Sequence, residues 1–443
     1  MDKKILSAIA VVAILVVASV SIYLVTGDDD HGEPTELDKA ELKVYGNING
    51  DRFLDNDDVA VLNDIIKDGK TVDDYPLADA NQDGVLDQSD VDLVNDVIDG
   101  KKSTIWHINY FDIDGDGTMD EQVESTKFPI TATIFNGSSN LLIYLFNLGI
   151  VDEVKGCTYG STADKGLFGT TYFNPDKCVK LGTSSSSITF EGGKAGSSNV
   201  IAEEGVTAVI SNWNRAQLGN WETFEANGID VVRVAASDMD VSQLTHSAML
   251  MGLLFQKVDR ANSYVDMNLE ILNYIHGKVS GAKKVMKAAA SSSDGSLSSA
   301  TSDYTGFILE AGAEFALKDF DFGGSSGLKV ADRPDVFLAD MDKIVHFRTN
   351  ISYDQTAESN KSYWDKYTAY FSDWKNAEEG QYVIGGTMPV ILRVAYAAVA
   401  LYPDLVTIEE VNDYHKEIVE KFYNGLEFDI DSMNFLLYSG NMN

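Results

Sequence analysis

Two acidic stretches, "NINGDRFLDNDD" from Asn47 and "DANQDGVLDQSD" from Asp79, repeat one pattern at an offset of 32 residues. On that offset Asn47, Asn49, Asp51, Asp55 and Asp58 fall on Asp79, Asn81, Asp83, Asp87 and Asp90. Side-chain oxygens at loop positions 1, 3, 5, 9 and 12, with a backbone carbonyl from position 7, can wrap a hard cation that takes six to eight oxygens at about 2.3–2.6 Å. Position 7 is Phe53 in the first loop and Val85 in the second. This is calcium chemistry, with one ion expected per loop. Gly84 stands at the turn position of the second loop. Arg52 holds that place in the first, where a left-handed backbone would cost about 1 kcal/mol, so the first loop is expected to be the weaker site. A third stretch, "DIDGDGTMDEQ", offers Asp112, Asp114, Asp116 and Asp120 at the same early spacing, but Val123 stands at position 12 and no amphipathic helix follows. It reads either as a third calcium loop completed by Glu121 or Glu124, or as a solvated acidic turn.

A second group of candidates follows short apolar runs. In parallel αβ sheets, ligands bind outside the carboxyl ends of the strands. After "ITATIF" come Asn136 and Ser138, opening a helix whose first amides suit an anion. Tyr159 follows "KGC", and Trp213 and Arg215 follow "VTAVIS". Farther on, "DKIVHFR" delivers His346 and Arg348, with Trp364 beyond. Two arginines after strands in opposite halves suggest bidentate contacts to an anionic, partly aromatic ligand. The alternatives are packing roles for Trp213 and Trp364 and an exposed ion pair for Arg215.

The elements that would position these groups fall into an ordered series. Each acidic loop runs into one amphipathic segment, "DVAVLNDIIKDG" or "DVDLVNDVIDGK". From Phe128 onwards, strand-like runs alternate with helical ones, the pattern of a parallel sheet. Between about Val241 and Lys278, apolar residues recur at helical spacing through Leu244, Ala248, Met251, Phe255, Val258, Val265 and Leu269, which predicts one long helix. After it "KKVMKAA" and "DKIVHFR" read as strands, and "YTGFILEAGAEFAL" and "PVILRVAYAAVALYP" as helices.

Composition narrows the function. The 443 residues carry a formal net charge of −35. Between Asp28 and Glu124 there are 28 Asp and Glu against 7 Lys and Arg. Such acidity argues against nucleic acid as a partner. The six histidines form no close pair, which disfavours a bare Zn²⁺ or Mn²⁺ site. There is no G-x-S-x-G elbow, P-loop or G-x-G-x-x-G after a strand, so an enzyme is not expected. The uncharged run from Ile5 to Val25 follows Lys3 and Lys4 and is long enough to cross a bilayer. With the basic flank inside, it predicts a retained single-pass anchor with the body on the extracellular face of the cell membrane, rather than a cleaved signal peptide. Cys157 and Cys178 are the only cysteines. In an exported region they are expected to form a disulfide; the alternative is two buried free thiols.

Two family resemblances follow from these stretches. The duplicated loop-plus-helix unit, with each loop ending in Asp rather than the Glu of an EF-hand, resembles the type I dockerin module. That resemblance implies a small all-α domain folded around two Ca²⁺ ions and a cohesin-like partner. The region beyond resembles the class III substrate-binding proteins of ABC importers, through "LFNLGIVDEVKGCTYG", "MLMGLLFQKVDRANSYVD" and "AVALYPDLVTIEEVNDYHKEIVEKFYNGLEF". It implies two Rossmann-like αβ lobes on one long helix, an ABC permease and its ATPase as partners, and an iron chelate, haem or corrinoid as ligand. The expected organisation is a transmembrane anchor at 1–26, an acidic linker at 27–43, the dockerin-like module at 44–102 and a connector at 103–127. Lobe 1 follows at 128–241, the linker helix at 242–280 and lobe 2 at 281–443. The expected function is a membrane-anchored solute receptor; the alternative is a cell-surface assembly protein acting through its dockerin-like module.

Overall fold

The computed structural model describes residues 40–115, 119–137, 139–158, 178–182, 186–190, 197–236, 241–348, 351–423 and 428–442. The expected anchor at Ile5–Val25, most of the acidic linker, and Asp116, Ser138 and Tyr159 lie outside these residues. Among those described, no helix is long and apolar enough to cross a membrane.

The repeated unit folds twice in the same way. Helices α1 (Asn56–Lys67) and α2 (Gln88–Ile98) each follow one acidic loop. Asp55 and Asp87 are their N-caps, and Asp58 and Asp90 return the bond from the third helical position, so both helices open with a capping box. Leu62, Ala78, Ala80, Val91 and Val94 form the small core between the two. The repeated spacing of these aspartates therefore has a helix-starting role independent of any ion.

The connector is not an irregular link. It folds as an antiparallel hairpin, β1 (Ser103–Phe111) and β2 (Asp120–Phe128), with the third acidic stretch at its tip. Alternation in "TIWHINYF" was the available signal. The hairpin packs on the outer strand of the first lobe: Asn109 Oδ1 accepts from Arg233 N at 2.8 Å, and Lys127 Nζ pairs with Asp230 at 3.1 Å. It thus covers a sheet edge that would otherwise be open to pairing.

Lobe 1 is a five-stranded parallel sheet of β3 (Thr133–Asn136), β4 (Val154–Thr158), β5 (Val179–Gly182), β6 (Ala208–Asn212) and β7 (Asp230–Val234), in the order β5-β4-β3-β6-β7. Helices α3 (Ser139–Asn147), α4 (Ser197–Glu204) and α5 (Trp221–Ala226) lie between the strands in sequence.

The expected long helix is two helices, α6 (Val241–Leu254) and α7 (Val258–Val279). Gln256 adopts a left-handed conformation, φ 55°, and the chain closes a Schellman-type cap: Gln256 N donates to Leu253 O at 3.0 Å and Lys257 N to Gly252 O at 2.7 Å. A Gln at the usual glycine position hid this stop in the sequence. The two helices then meet at Gly252, where an added Cβ would lie 2.3 Å from the Ala261 Cβ. Gly252→Ala should therefore lower stability by about 1–3 kcal/mol through overpacking, despite alanine's better helix propensity. A denaturation midpoint equal to or above that of the parent would show that the helices part freely.

Lobe 2 follows with β8 (Lys287–Ser291), β9 (Ser296–Ser298), α8 (Asp303–Glu310), β10 (Glu314–Phe315), β11 (Gly327–Lys329), β12 (Lys343–Arg348), α9 (Ala357–Ala369), β13 (Gln381–Gly385), α10 (Val390–Leu401), α11 (Ile408–Phe422) and β14 (Leu436–Leu437). Its main sheet runs β10-β8-β12-β13-β14, parallel except for β14. The helix expected through "YTGFILEAGAEFAL" stops at Glu310, because Gly312 turns left-handed at φ 86° and redirects the chain into β10. Helix α10 is buried along its whole length. With α3, α6, α7 and α11, it forms one core that runs through both lobes.

Candidate functional site

The two acidic loops share a hydrogen-bond pattern. In the first, Asp58 Oδ1 accepts from Ile48 N at 2.8 Å and Asn49 N at 3.3 Å, and its Oδ2 accepts from Asp55 N at 3.0 Å. In the second, Asp90 Oδ1 accepts from Asn81 N at 3.2 Å and Oδ2 from Asp87 N at 3.0 Å. Asn49 and Asp51, like Asn81 and Asp83, each accept from the amide two residues on. Asp58, Asp79 and Asp90 are buried, and burial pushes their carboxyl groups above the usual range. Backbone amides oppose the rise, while like charge from Asp51, Asp83 and Asp79 adds to it.

These residues suit a hard cation on two counts. Several buried carboxylates share a small space with no basic side chain among the loop positions except Arg52. In addition, Asn47 Oδ1 is buried without a hydrogen-bond partner, because its Nδ2 donates to Leu42 O and Asp51 O at 2.7 and 2.8 Å. Among the described residues, however, no three His, Cys, Asp or Glu side chains are already gathered as an ion would hold them. The carboxylate oxygens are instead taken by amides. The expected strain at Arg52 is absent: the left-handed turn of the first loop falls at Gly50, φ 69°, and that of the second at Gln82 and Gly84. The ground for ranking the first loop as the weaker site therefore goes.

The third acidic stretch has a different environment. Asp112 N donates to Trp213 O at 3.1 Å, Ile113 N to Asp120 Oδ2 at 3.2 Å, and Arg215 Nη1 to the Ile113 carbonyl. Val123 lies in the middle of β2. Asp112, Asp114 and Asp120 thus belong to a hairpin tip with a guanidinium laid across it, rather than to a loop-and-helix unit.

The described residues among those expected at the strand ends each have a separate environment, and Ser138 and Tyr159 lie outside the described residues. Asn136 does end β3; its Nδ2 donates to Ser211 Oγ at 3.2 Å and its Oδ1 accepts from Thr158 Oγ1 at 2.8 Å, which ties β3 to both neighbours. Trp213 is buried against Tyr110 of the hairpin and Ala235, in a packing role. Arg215 is exposed and committed to the hairpin tip. His346 is fully buried, with Nε2 against Gln381 Oε1 at 3.1 Å and its ring 5.0 Å from Phe371; burial lowers its pKa to about 3. Trp364 packs on the cluster of Ile351, Tyr367, Val383 and Leu437.

Arg348 does end β12, but it faces inward. Nη1 donates to Ser291 O and Phe347 O at 2.6 and 2.8 Å, Nη2 to Ser291 Oγ and Ser293 O at 3.0 and 3.1 Å, and the guanidinium lies 4.4 Å from the Tyr367 ring centroid. Three of its hydrogen bonds are spent on the end of β8 and the turn after it, and the fourth on Phe347 O of its own strand. The expectation of two arginines reaching one ligand from opposite lobes is therefore not met, because both guanidinium groups satisfy backbone carbonyls.

Two further arginines escaped sequence reasoning. Arg233 on β7 donates to Asn212 O and Gln217 O at 3.0 and 3.1 Å and lies 3.8 Å from the Phe111 ring centroid, so it shapes the turn after β6. Arg393 is fully buried in α10 and donates to the Gly386 and Met388 carbonyls after β13. A charge set inside an apolar run, "VVRVAA" in one case and "VILRVAYAAVAL" in the other, was the signal in both cases. The turns beyond β6, β8 and β13 are thus braced from beneath, and the polar groups at the described strand ends are mainly amides and hydroxyls.

Cys157 on β4 and Cys178 just before β5 are both buried free thiols, the alternative that the sequence left open. Contact with Cys157 and burial push the Cys178 thiol far above its usual range.

No family model matches the sequence, and no curated protein matches it. Solved structures do. The TroA-like periplasmic binding protein FepB from Veillonella parvula is 15% identical, with a TM-score of 0.52 over 74% of this chain and 99% of that one. The molybdate periplasmic binding protein MolA from Haemophilus influenzae, bound to molybdate, is 13% identical, with a TM-score of 0.52 over 69% and 97%. CeuE from Helicobacter pylori with Ni(II) bound is 12% identical, with a TM-score of 0.50 over 70% and 96%. Two lobes with parallel sheets, braced strand-end turns and likeness over almost the full length of each of these proteins give the chain the α/β fold of TroA-like periplasmic binding proteins.

Proposed function

We propose that the body binds a small solute between its lobes, delivers it to an ABC permease and its ATPase, and leaves the solute chemically unchanged. The observation that carries this reading is the pairing of two mainly parallel sheets, each with strand-end turns braced by a buried arginine, in a fold shared with periplasmic binding proteins. Open αβ sheets take ligands at such ends. An iron chelate, haem or corrinoid is the ligand class, in keeping with the sequence resemblance. The described strand ends favour a ligand recognised through amides and hydroxyls over one clasped by two arginines. The acidic loops are proposed as calcium sites, with Asp79, Asn81, Asp83, Asp87 and Asp90 around one ion and Asn47, Asn49, Asp51, Asp55 and Asp58 around the other. Bound calcium would supply positive charge to buried carboxylates that now rely on amides alone. The anchor at Ile5–Val25 would hold the body on the extracellular face.

The test is a panel of ferric siderophores, haem and cobalamin, titrated into the chain and followed by tryptophan fluorescence and calorimetry. One of them should bind with a dissociation constant of about 1 μM or tighter, about −8 kcal/mol. Failure of all three classes at that concentration would remove the ground for solute capture and favour the surface-assembly reading.

A further inference from the structure

We infer that cation occupancy of the first acidic loop is coupled to the helix pair α6–α7 that joins the lobes, whereas occupancy of the second loop is not; the inference rests on the calcium reading of the loops. The connection is the segment 40–44. Ala40, Leu42 and Val44 are buried in the core of the body. Lys43 N donates to His246 Nδ1 on α6 at 3.0 Å, and Lys43 O accepts from Ile108 N of the hairpin at 3.0 Å. The same segment is gripped from the other side by the first loop. Leu42 N donates to Asp51 O at 2.9 Å, and Asn47 Nδ2 bridges Leu42 O and Asp51 O.

Asn47 therefore has two jobs. Its amino group seats Leu42, while its buried Oδ1 has no hydrogen-bond partner and is free to face a cation. A ligand on that oxygen fixes the side chain that holds the segment in the core. Arg52, adjacent to Asp51, forms an ion pair with Asp266 on α7 and gives the loop a second tie to the body. The second loop is closed on itself at the equivalent point: Asp79 accepts from Asp83 N and Gly84 N at 3.1 and 3.0 Å. Its first position is an aspartate with no side-chain donor for the 40–44 segment, and the second unit meets the body's core instead at the far end of α2, through Val97.

The experiment is hydrogen exchange on the full chain in detergent, in EDTA and in calcium, with binding measured in parallel by calorimetry. At free calcium about 100 times the dissociation constant, exchange that requires release of the ion should slow about 100-fold. The slowing should extend from the loops into 40–46, α6 and the first turns of α7. Asp51→Ala should abolish it in those body segments, and Asp83→Ala should leave it there. If Asp51→Ala does not fold, Asn49→Ala serves the same comparison, since the Asn49 side chain bonds only to Asp51. Calcium that binds yet protects only α1 and α2, or Asp51→Ala and Asp83→Ala acting alike, would overturn the coupling and leave the calcium sites standing. No calorimetric binding would overturn both.

Discussion

Acidification from pH 7 to pH 5 should cost the folded chain most of its stability. His107, His246, His346 and His415 are fully buried, and burial holds their pKa values down at about 4, 3, 3 and 3. Each is neutral because its neighbours require it. His246 accepts from Lys43 N through Nδ1 and faces Ile108 O through Nε2, and His415 lies between the hydroxyls of Tyr353 and Tyr396. In the unfolded chain the same imidazoles titrate near 6.5. Between those limits the unfolded state binds more protons, so stability rises with pH, is complete above about 6.5 and is lost as pH falls. At pH 5 each such histidine costs about 2 kcal/mol, or about 8 kcal/mol for the set, against a typical total of about 5–15 kcal/mol.

Carboxylates pull the other way. Burial and neighbouring Glu124 raise Glu225 to about 7, and a raised carboxyl returns stability on acidification. Glu225 is only partly shielded, so screening limits its return to on the order of 1 kcal/mol. The histidines should win. Denaturant unfolding across this range should show net proton uptake, and His346→Leu should reduce that uptake by about one proton. His276 provides an internal control, because its hydrogen bond to Glu310 raises its pKa, so in the native protein it should gain its proton at higher pH than a free imidazole does. Native-state NMR in which the four buried imidazoles titrate near pH 6.5 would sink the prediction.

These histidines also mark how far the sequence could be read. The repeat at Asn47 and Asp79 was legible because cation ligation and helix capping both demand oxygen at fixed spacing, and the structure shows the second demand directly in Asp55, Asp58, Asp87 and Asp90. Strands such as "TATIF" and "KIVHFR" were legible because a strand buried on both faces carries a continuous apolar pair at its centre, Ile134 and Phe135 in one and Ile344 and Val345 in the other. Side-chain direction was not legible. A polar residue at a strand end can reach outward to a ligand or back to brace the next turn, and residue type does not choose between them. His346, Arg348 and Trp213 all turn inward. The hairpin at Ser103–Phe128 was missed because its tip carries the same Asp-Gly pattern as a calcium loop. The break at Gln256 was missed because apolar spacing continues across it, and a left-handed Gln stands where a glycine usually marks the stop.

Arg348→Ala should destabilise the chain by about 3–5 kcal/mol, well beyond what loss of a ligand contact would do to folding. Removal of the guanidinium strips donors from Ser291 O, Ser293 O and Ser291 Oγ inside the lobe, and each buried acceptor left alone costs about 1–3 kcal/mol. The face of Tyr367 loses its cation as well, and a desolvated cation–π contact is worth about 2 kcal/mol. Part of this gross cost is recovered, because a buried cation whose hydrogen bonds go to carbonyls and a hydroxyl is itself expensive, and burial already lowers its pKa. Arg348→Lys should recover less than half of the loss, since one ammonium cannot reproduce a fork that serves three carbonyls and a hydroxyl. Arg215→Ala is the contrast. Its side chain lies on the surface over Ile113, and its loss should change stability by no more than about 0.5 kcal/mol. Urea denaturation of the three variants, paired with ligand titration of whatever remains folded, separates the roles. If Arg348→Ala keeps the parent's midpoint and loses only binding, the guanidinium reaches the ligand after all. If stability falls while the folded fraction still binds, Arg348 is the brace that sets the Ser291–Ser293 turn, and specificity at that strand end belongs to the serines it holds.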